Sequence, residues 1–525
     1  MAKSIAASNS TPAASRIDLP TYSGLWLGLG CIAALFACGG PLDIAIAAWL
    51  LPIFLVRFGR ISAGPIAAIG VLAAMLVQSV AYILLNAIPF NMLTLVLALV
   101  VSVVYALPLI FDRSIGCRLS DALRILLLPV AMVAAEFGIG TVLPLGTALG
   151  MRAITQGENL ALLQIISITG PYVIAFFMGI TATVANRVME APSRATLLRY
   201  AAPLAAGLIT VVALGQARLA ISTPSAAPAT VKFAAITPDL DARRAASELL
   251  DSATLPPTSA DAARVQLPQV RAAYRRIAAA LLADTRRAAR ARAKIVVWSE
   301  TAAPTTTADK PALLAQVGAV AREEGIYISA AVGVPFERNE TFLFGPNGRQ
   351  LWRYRKNHPV PGMEPVAPFA NSVPVVSTPY GRLANLICFD GDFPALARVN
   401  ADIMLVPSWD WPEVTFAHTM RMVRLRAIEN GYALVRPVFN GVAGAFDPFG
   451  RTLAMQETMS GGAHVMLVDV PTRSASTIYN RIGDLFAWAC CMGVILLIVL
   501  SFLRGHSHDI SYPKVAKPGV TIEQL

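Results

Sequence analysis

No GxSxG turn, phosphate-cradling GxxxxGKS/T loop, HExxH helix or CxxC pair occurs in the sequence. These absences set aside the serine-hydrolase elbow, P-loop chemistry, the HExxH zinc proteases and dithiol or paired-cysteine zinc sites. Histidine is scarce, and its five copies are dispersed apart from His506 and His508, which read as solvated rather than as metal ligands. Charge is scarce too, at 14% of 525 residues, whereas 55% are hydrophobic and the mean hydropathy is +0.59. Such a chain is expected to lie largely in lipid, with a soluble part. The formal charge of +11 comes without an arginine-rich tail or an aromatic-interleaved strand pair, so nucleic acid is not an expected partner. Cationic loops against anionic lipid account for it.

Long apolar runs fill the space that charge leaves. They lie at about 24–39, 42–57, 62–85, 90–111, 121–143, 160–186 and 198–220, with a last one at about 484–503, and eight spans are expected from them. The first two are short, and Gly39-Gly40-Pro41 between them reads as a tight turn or as a break in one bent hairpin. Arg57 and Arg60 follow the second run, Arg113 and Arg118 the fourth, and Arg187, Arg194 and Arg199 the sixth, whereas the alternate loops are nearly uncharged. By the positive-inside rule, with Lys3, Arg16, Arg504, Lys514 and Lys517 agreeing, both termini are expected in the cytoplasm and the large polar insert outside. The expected organisation is a polar tail at 1–20, a membrane bundle of about seven helices at 21–221, a polar domain at 222–480, a final membrane helix at 481–504 and a second tail at 505–525.

The insert opens on a Ser-, Pro- and Ala-rich linker near 222–230. Short β-rich runs at 231–236, 294–298, 327–333, 383–387, 402–406 and 432–438 alternate with helical patterns at about 268–292, 310–323 and 415–430. That alternation predicts an α/β domain. The first helix carries Arg271, Arg275, Arg276, Arg286, Arg287, Arg290 and Arg292, which read as a solvated face, with lipid phosphate the alternative.

Five of the six cysteines fall in or beside apolar runs, leaving Cys388 alone in the polar part, where an apolar run ends in Cys388-Phe389-Asp390-Gly391-Asp392. A lone cysteine is more often an inert core residue than a nucleophile, so its reading rests on its company. Glu300 ends another such run and is expected at a strand tip on the same edge as Cys388. Lys356 sits in Arg355-Lys356-Asn357-His358, and Glu364 follows in a proline-rich loop. By themselves these three read as surface charges. Together the residue types form an acyl-transfer set: a thiol that needs a base, a glutamate able to take and return its proton, and a lysine to face an oxyanion.

The order Glu300, Lys356, Cys388, with Arg426-Ala427-Ile428-Glu429-Asn430-Gly431 downstream, resembles the nitrilase (carbon–nitrogen hydrolase) superfamily. With seven runs before the domain and one after it, the pattern resembles the apolipoprotein N-acyltransferase family over nearly the whole chain. Related motifs are Trp298-Ser299-Glu300-Thr301, Asn440-Gly441-Val442, Asp447-Pro448-Phe449-Gly450-Arg451, Tyr479-Asn480-Arg481 and Gln164-Ile165-Ile166-Ser167. The resemblance implies a membrane bundle plus an α-β-β-α nitrilase-like sandwich on the periplasmic side of a bacterial inner membrane. It makes Cys388 the nucleophile, Glu300 the base, Lys356 the oxyanion partner and Glu364 the acid that orients the lysine, with Glu429 supporting the site. It implies a phospholipid acyl donor, a diacylglyceryl-cysteine lipoprotein acceptor, and no metal or soluble cofactor. Asp390, where the family has Glu, is placed with Trp409 and Trp411 as substrate-binding. The two tryptophans are expected at the membrane interface, with core packing the alternative. Further departures are Ser408-Trp409-Asp410-Trp411, Gly140-Thr141-Val142-Leu143-Pro144-Leu145 and Thr237-Pro238-Asp239. The remaining functional alternatives are a membrane-anchored amidase or acyltransferase with another acceptor, and a catalytically silent lipoprotein-binding scaffold.

Overall fold

The computed structural model describes residues 22–148, 150–221, 229–250 and 263–505. The expected N-terminal tail with Lys3 and Arg16, residues 222–228 of the linker, and the C-terminal tail with His506, His508, Lys514 and Lys517 lie outside the described residues.

Six described helices are long and apolar enough to cross a bilayer: Gly64–Leu85, Met92–Arg118, Asp121–Val142, Val173–Glu190, Arg194–Ile221 and Leu485–Leu503. The other apolar runs are helical but differ from the expected spans. Ser23–Leu35 has 13 residues, about 20 Å of helix against a hydrocarbon core of about 30 Å. Ala45–Ile61 has 17, and the turn between these two is closed by the Asp43 carboxylate, which accepts from the Gly39 and Gly40 N–H groups at 3.0 and 3.3 Å. The run at 160–186 is broken rather than continuous. Leu160–Leu163 and Ile166–Thr169 stop at Gly170 (φ 82°) and Pro171, and Val173–Glu190 starts afresh. A left-handed glycine followed by a residue with no N–H ends a helix whatever the hydropathy.

The two ends of the bundle differ in chemistry. At one end, Arg60 donates to Asp112 at 2.7 and 2.8 Å and to Glu190 at 3.1 Å, while Arg187 donates to Asp121 at 2.5 Å. The polar domain sits on the other end.

Two sheets build that domain. The first has the order β15 (His464–Pro471), β1 (Thr230–Thr237), β2 (Ile295–Trp298), β4 (Tyr327–Val334), β5 (Arg338–Phe344), β6 (Gln350–Arg355), with β3 (Ala303–Pro304) beside β4. The second has the order β14 (Thr452–Glu457), β13 (Val442–Phe446), β11 (Ala433–Arg436), β9 (Ile403–Leu405), β8 (Gly381–Asn385), β7 (Val375–Thr378). The central strands of each are parallel and the outer pairings antiparallel. A short parallel pair, β10 (Ser408–Trp409) with β12 (Val438–Phe439), lies apart from both.

The period of two along each strand sorts the side chains into layers. Val231, Phe233, Ala235, Ile295 and Val297 meet Leu383, Ile403, Leu405, Ala433 and Val435 between the sheets. Their neighbours Ala234, Ile236, Val296 and Trp298 face the helices Pro268–Arg290 and Lys310–Glu324, and Ala384, Met404 and Leu434 face Arg424–Asn430. The result is the α-β-β-α sandwich. Both faces of the central strands are buried, which is why their sequences read as continuous apolar runs. The arginines of Pro268–Arg290 meet surface acids, Arg271 with Asp309 at 2.6 Å and Arg286 with Glu323 at 2.8 Å, as a solvated face does.

Domain and bundle share one core, because Leu425 and Ile428 pack in the same cluster as Leu163, Ile166 and Tyr172. Polar contacts fix the register of the two. The Trp411 Nε1–H donates to the Asn86 carbonyl at 2.6 Å, Gln164 to the Phe449 carbonyl at 3.0 Å, and Arg421 to the Gly40 carbonyl at 3.2 Å. The loop after Asp121–Val142 docks on the domain as well. Thr147 donates through its N–H and its hydroxyl to the Asp392 carbonyl, at 2.8 and 2.7 Å, and Gly146 (φ 53°) lies so near that a Cβ there would stand 2.5 Å from that oxygen. Gly146→Ala is therefore expected to lower the apparent melting temperature in detergent, through about 1 kcal/mol of left-handed strain plus the clash. Thr147→Val, which keeps the backbone bond, should lower it less; equal melting of Gly146→Ala and the parent protein would show that this contact does not hold the two parts together.

Candidate active site

The β8 segment ends at Asn385, and after Leu386 and Ile387 the chain turns sharply in a 3-10 turn, Cys388–Asp392, whose first residue has φ 46°. A non-glycine residue there is strained by about 1–3 kcal/mol and persists only when its surroundings over-determine it. Here the Cys388 N–H donates to the Pro407 carbonyl at 2.9 Å, and the thiol lies 3.7 Å from the Trp409 carbonyl.

Glu300 follows β2 in the first sheet, whereas Cys388 follows β8 in the second, so the two do not share a strand edge as expected. Sheet membership is set by pairing partners, which a run of apolar residues does not encode. Face-to-face packing nevertheless brings both residues to the wall of one cavity of about 850 Å³. Lys356, just past β6, is 1% exposed and reaches Glu300 Oε1 at 2.8 Å. Its Nζ also pairs closely with Glu364. Glu300 receives two further donors, the Asn339 side chain at 2.6 Å and the Trp409 N–H at 2.8 Å.

Burial sets the proton affinities of this cluster. It pushes Glu300 above the ordinary carboxylate range, partly offset by Lys356. It also opposes the charge on Lys356, but Glu300 and Glu364 outweigh it and hold the ammonium above the usual lysine range. The Cys388 thiol is pushed well up by burial and by the charge of Glu300, so it stays protonated at neutral pH unless a base takes the proton.

Asp390 does not line the cavity. It is fully buried and accepts from the Tyr354 hydroxyl at 2.8 Å and from the N–H groups of His358, Asn357 and Ile387 at 2.8, 3.1 and 3.2 Å. Its work is to tie the segment bearing Lys356 to the turn bearing Cys388, which corrects its placement among substrate-binding residues. Trp409 and Trp411 do line the cavity, although the indole N–H of Trp411 is committed to Asn86. Glu429 is buried beside Arg426 at 3.0 Å and is not part of the wall.

Residues that sequence reasoning missed adjoin this cluster. Arg436 pairs with Asp410 through two hydrogen bonds of 2.8 Å, and His418 stands 3.1 Å from Asp392. Burial opposes a charged His418, but Asp392 and Asp410 outweigh it and raise its pKa. The sequence signal for the first pair was an arginine inside an otherwise apolar strand run. Among the described residues no group of three or more His, Cys, Asp or Glu forms a candidate metal site.

Residues 261–477 match the carbon–nitrogen hydrolase family. They are a carbon–nitrogen hydrolase domain. An apolipoprotein N-acyltransferase of Geobacter metallireducens is 27% identical over 426 residues, covering 72% of this chain and 74% of the relative. One of Bradyrhizobium diazoefficiens is 24% identical over 419 residues, with the same coverage of 72% and 74%. Alignments of that length run beyond the hydrolase domain into the membrane helices, so the chain is a homologue of these acyltransferases in both parts. A crystal structure of an amidase from Nesterenkonia sp. is 19% identical, with a TM-score of 0.35, and covers 49% of this chain and 94% of its own.

The Asp390 contacts of this hydrolase domain lead to a prediction. Asp390→Ala leaves several buried donors without an acceptor, at about 1–3 kcal/mol each. The apparent melting temperature should fall, and alkylation of Cys388 by iodoacetamide, followed by intact-protein mass, should become faster. Unchanged values of both would show that these bonds do not hold the turn.

Proposed function

We propose that this protein is a membrane N-acyltransferase that takes a fatty acyl chain from a phospholipid onto Cys388 and passes it to the N-terminal amine of a diacylglyceryl-cysteine lipoprotein. One observation carries the reading. The cavity that holds Cys388 and Glu300 is walled on its far side by Tyr82, Leu97, Ala98 and Val101 of the helices Gly64–Leu85 and Met92–Ser114. A buried thiol with an apolar, membrane-level approach suits a lipid ester better than a small amide dissolved in water. The names of the homologues support the acceptor.

In the proposed cycle Glu300 takes the thiol proton and the thiolate attacks the ester carbonyl. The C–O double bond opens to an oxyanion facing Lys356, a role worth about 3 kcal/mol per donor in other enzymes. Collapse breaks the ester C–O bond, Glu300 returns the proton to the leaving glycerol oxygen, and a lysophospholipid departs. Glu300, ionised again, then takes a proton from the acceptor amine as it attacks the thioester; collapse breaks the C–S bond, Glu300 passes that proton to the sulfur, the amide is released and the thiol is restored. Glu364 holds Lys356 in place. The arginines that follow the helices at one end of the bundle, Arg57, Arg60, Arg113, Arg118, Arg187, Arg194 and Arg199, support a cytoplasmic placement of that end and a periplasmic catalytic domain in a bacterial inner membrane.

Incubation with phosphatidylethanolamine should add one acyl mass to the protein, lost in Cys388→Ala and discharged by a diacylated lipopeptide. Discharge as free fatty acid in the presence of the lipopeptide would favour an amidase, and no adduct at all would remove the nucleophile assignment. Because Glu300 acts ionised and burial raises its pKa, the acylation rate should fall as pH drops through a value above the ordinary carboxylate range. Glu300→Gln should cost about 10²–10⁴ in that rate. Its residual rate should rise about tenfold per pH unit, since only free thiolate then reacts. A flat residual profile would show that the base is another group.

A further inference from the structure

The cavity has a polar end that the acyl chemistry leaves unused. Arg243, on the helix Leu240–Glu248 after β1, lines it and is 7% exposed. Its guanidinium stands over the rings of Trp409 and Phe439, 5.5 and 5.6 Å from their centroids. Among the described residues no carboxylate pairs with it, and its buried Nε has no hydrogen-bond partner. Every other arginine in the buried part of the domain has an acid or a carbonyl beside it, as Arg436 has Asp410 and Arg424 has the Gly157 carbonyl. Burial without a counter-charge pulls Arg243 down to about 10, which leaves it cationic at neutral pH. Tyr274, 4% exposed, lines the same end. Its phenol is pushed up to about 12 by burial and is therefore a neutral hydroxyl, able to donate.

A cation taken out of water and given two aromatic faces but no anion is an incomplete site. The ring faces orient the guanidinium, and its N–H groups remain for a ligand with paired oxygens. Trp409 joins this end to the nucleophile, because its backbone carbonyl lies 3.7 Å from the Cys388 sulfur while its ring carries Arg243. In a glycerophospholipid the three-carbon glycerol separates an acyl ester from the phosphodiester by a few bonds. An ester carbonyl at Cys388 therefore sets the phosphate about one residue's reach away.

We propose that Arg243, with Tyr274 beside it, binds the phosphodiester of the phospholipid donor and so selects phospholipid over neutral acylglycerol; this rests on the phospholipid donor proposed above. The apolar wall of Leu97, Ala98 and Val101 then takes the acyl chain and the Arg243 end takes the head group. The sequence held no sign of this, since Arg243 sits in an ordinary Asp-Ala-Arg-Arg stretch.

The test uses the full chain in detergent with Cys388→Ala, so that bound lipid is not consumed. Native mass spectrometry reads its occupancy by phosphatidylglycerol and by diacylglycerol of the same chains. The preference for phosphatidylglycerol should fall about tenfold or more when Arg243→Gln is added, as expected for losing a charge-assisted pair. Arg243→Lys should retain part of it. An unchanged preference, or an equal loss of both lipids, would overturn the proposal and leave Arg243 as a packing residue. Displacement of neither lipid by millimolar inorganic phosphate is expected; saturable phosphate binding that leaves the lipid preference intact in Arg243→Gln would assign a small-anion site instead. Thioester formation is read separately in protein with Cys388 intact. Phospholipid selection through Arg243 without any thioester would keep this site and remove the acyltransferase reading.

Discussion

A single buried ammonium organises the hydrolase domain of this protein. Lys356 is almost wholly enclosed, and moving such a charge out of water costs several kcal/mol unless close partners answer it. Glu300 and Glu364 are those partners, and each comes from a different stretch of chain. Glu300 arrives on the first sheet, Lys356 on the segment leaving it, and Glu364 in the turn that follows. The pair of charges can form only if the loop after β2 and the segment after β6 close over one another, so the ion pair selects a loop geometry more than it adds stability. Asn339 and the Trp409 N–H complete the coordination of Glu300, and the latter bond reaches to the short β10–β12 pair.

The same logic extends outward. The turn carrying Cys388 is strained at its first residue and is held from three sides. Asp390 anchors it to the Lys356 segment, Pro407 anchors it to the strand beside it, and Thr147 anchors its last carbonyl to a membrane loop. The bundle is thus part of the mould that shapes the Cys388 turn, as well as an anchor. Trp411 shows the same economy, with its ring in the cavity wall and its N–H on the end of a membrane helix. A soluble version of the domain would lose both contacts along with the apolar wall of the cavity.

Much of this was legible in the sequence because it follows from local rules. Parallel strands buried on both faces leave continuous apolar runs, and most of the spanning helices leave longer ones, so both kinds of element stand out by length alone. Glu300, Lys356 and Cys388 were visible as polar residues where such runs stop. What was hidden depends on partners distant in the chain. Glu300 and Cys388 lie on different sheets because β2 pairs with β1 and β4 while β8 pairs with β7 and β9. Asp390 looks like a ligand residue until Tyr354, Asn357 and His358, more than thirty positions away, are found around it. The break at Gly170 was local and readable, yet the hydropathy of 160–186 masked it. Arg243 was unreadable, since an unpaired buried cation differs from a surface one only in what surrounds it.

The proton inventory of the site suits the two successive acyl transfers of the proposed cycle. A free thiolate beside an ionised Glu300 would add a further negative charge to the buried cluster; burial and Glu300 both resist that. Passing the thiol proton to Glu300 leaves the total unchanged, so the nucleophile is generated without placing another charge in a low-dielectric interior. It also removes one of the two counter-charges of Lys356, whose field is then less fully answered when the oxyanion forms beside it. In the proposed cycle, return of the proton to the departing oxygen resets Glu300 as a carboxylate just when the acceptor amine needs a base. The two proposed half-reactions then use the same proton site in the same sense, and they require the acceptor to enter as a neutral amine. An ammonium would bring a positive charge into the cavity and no lone pair for attack.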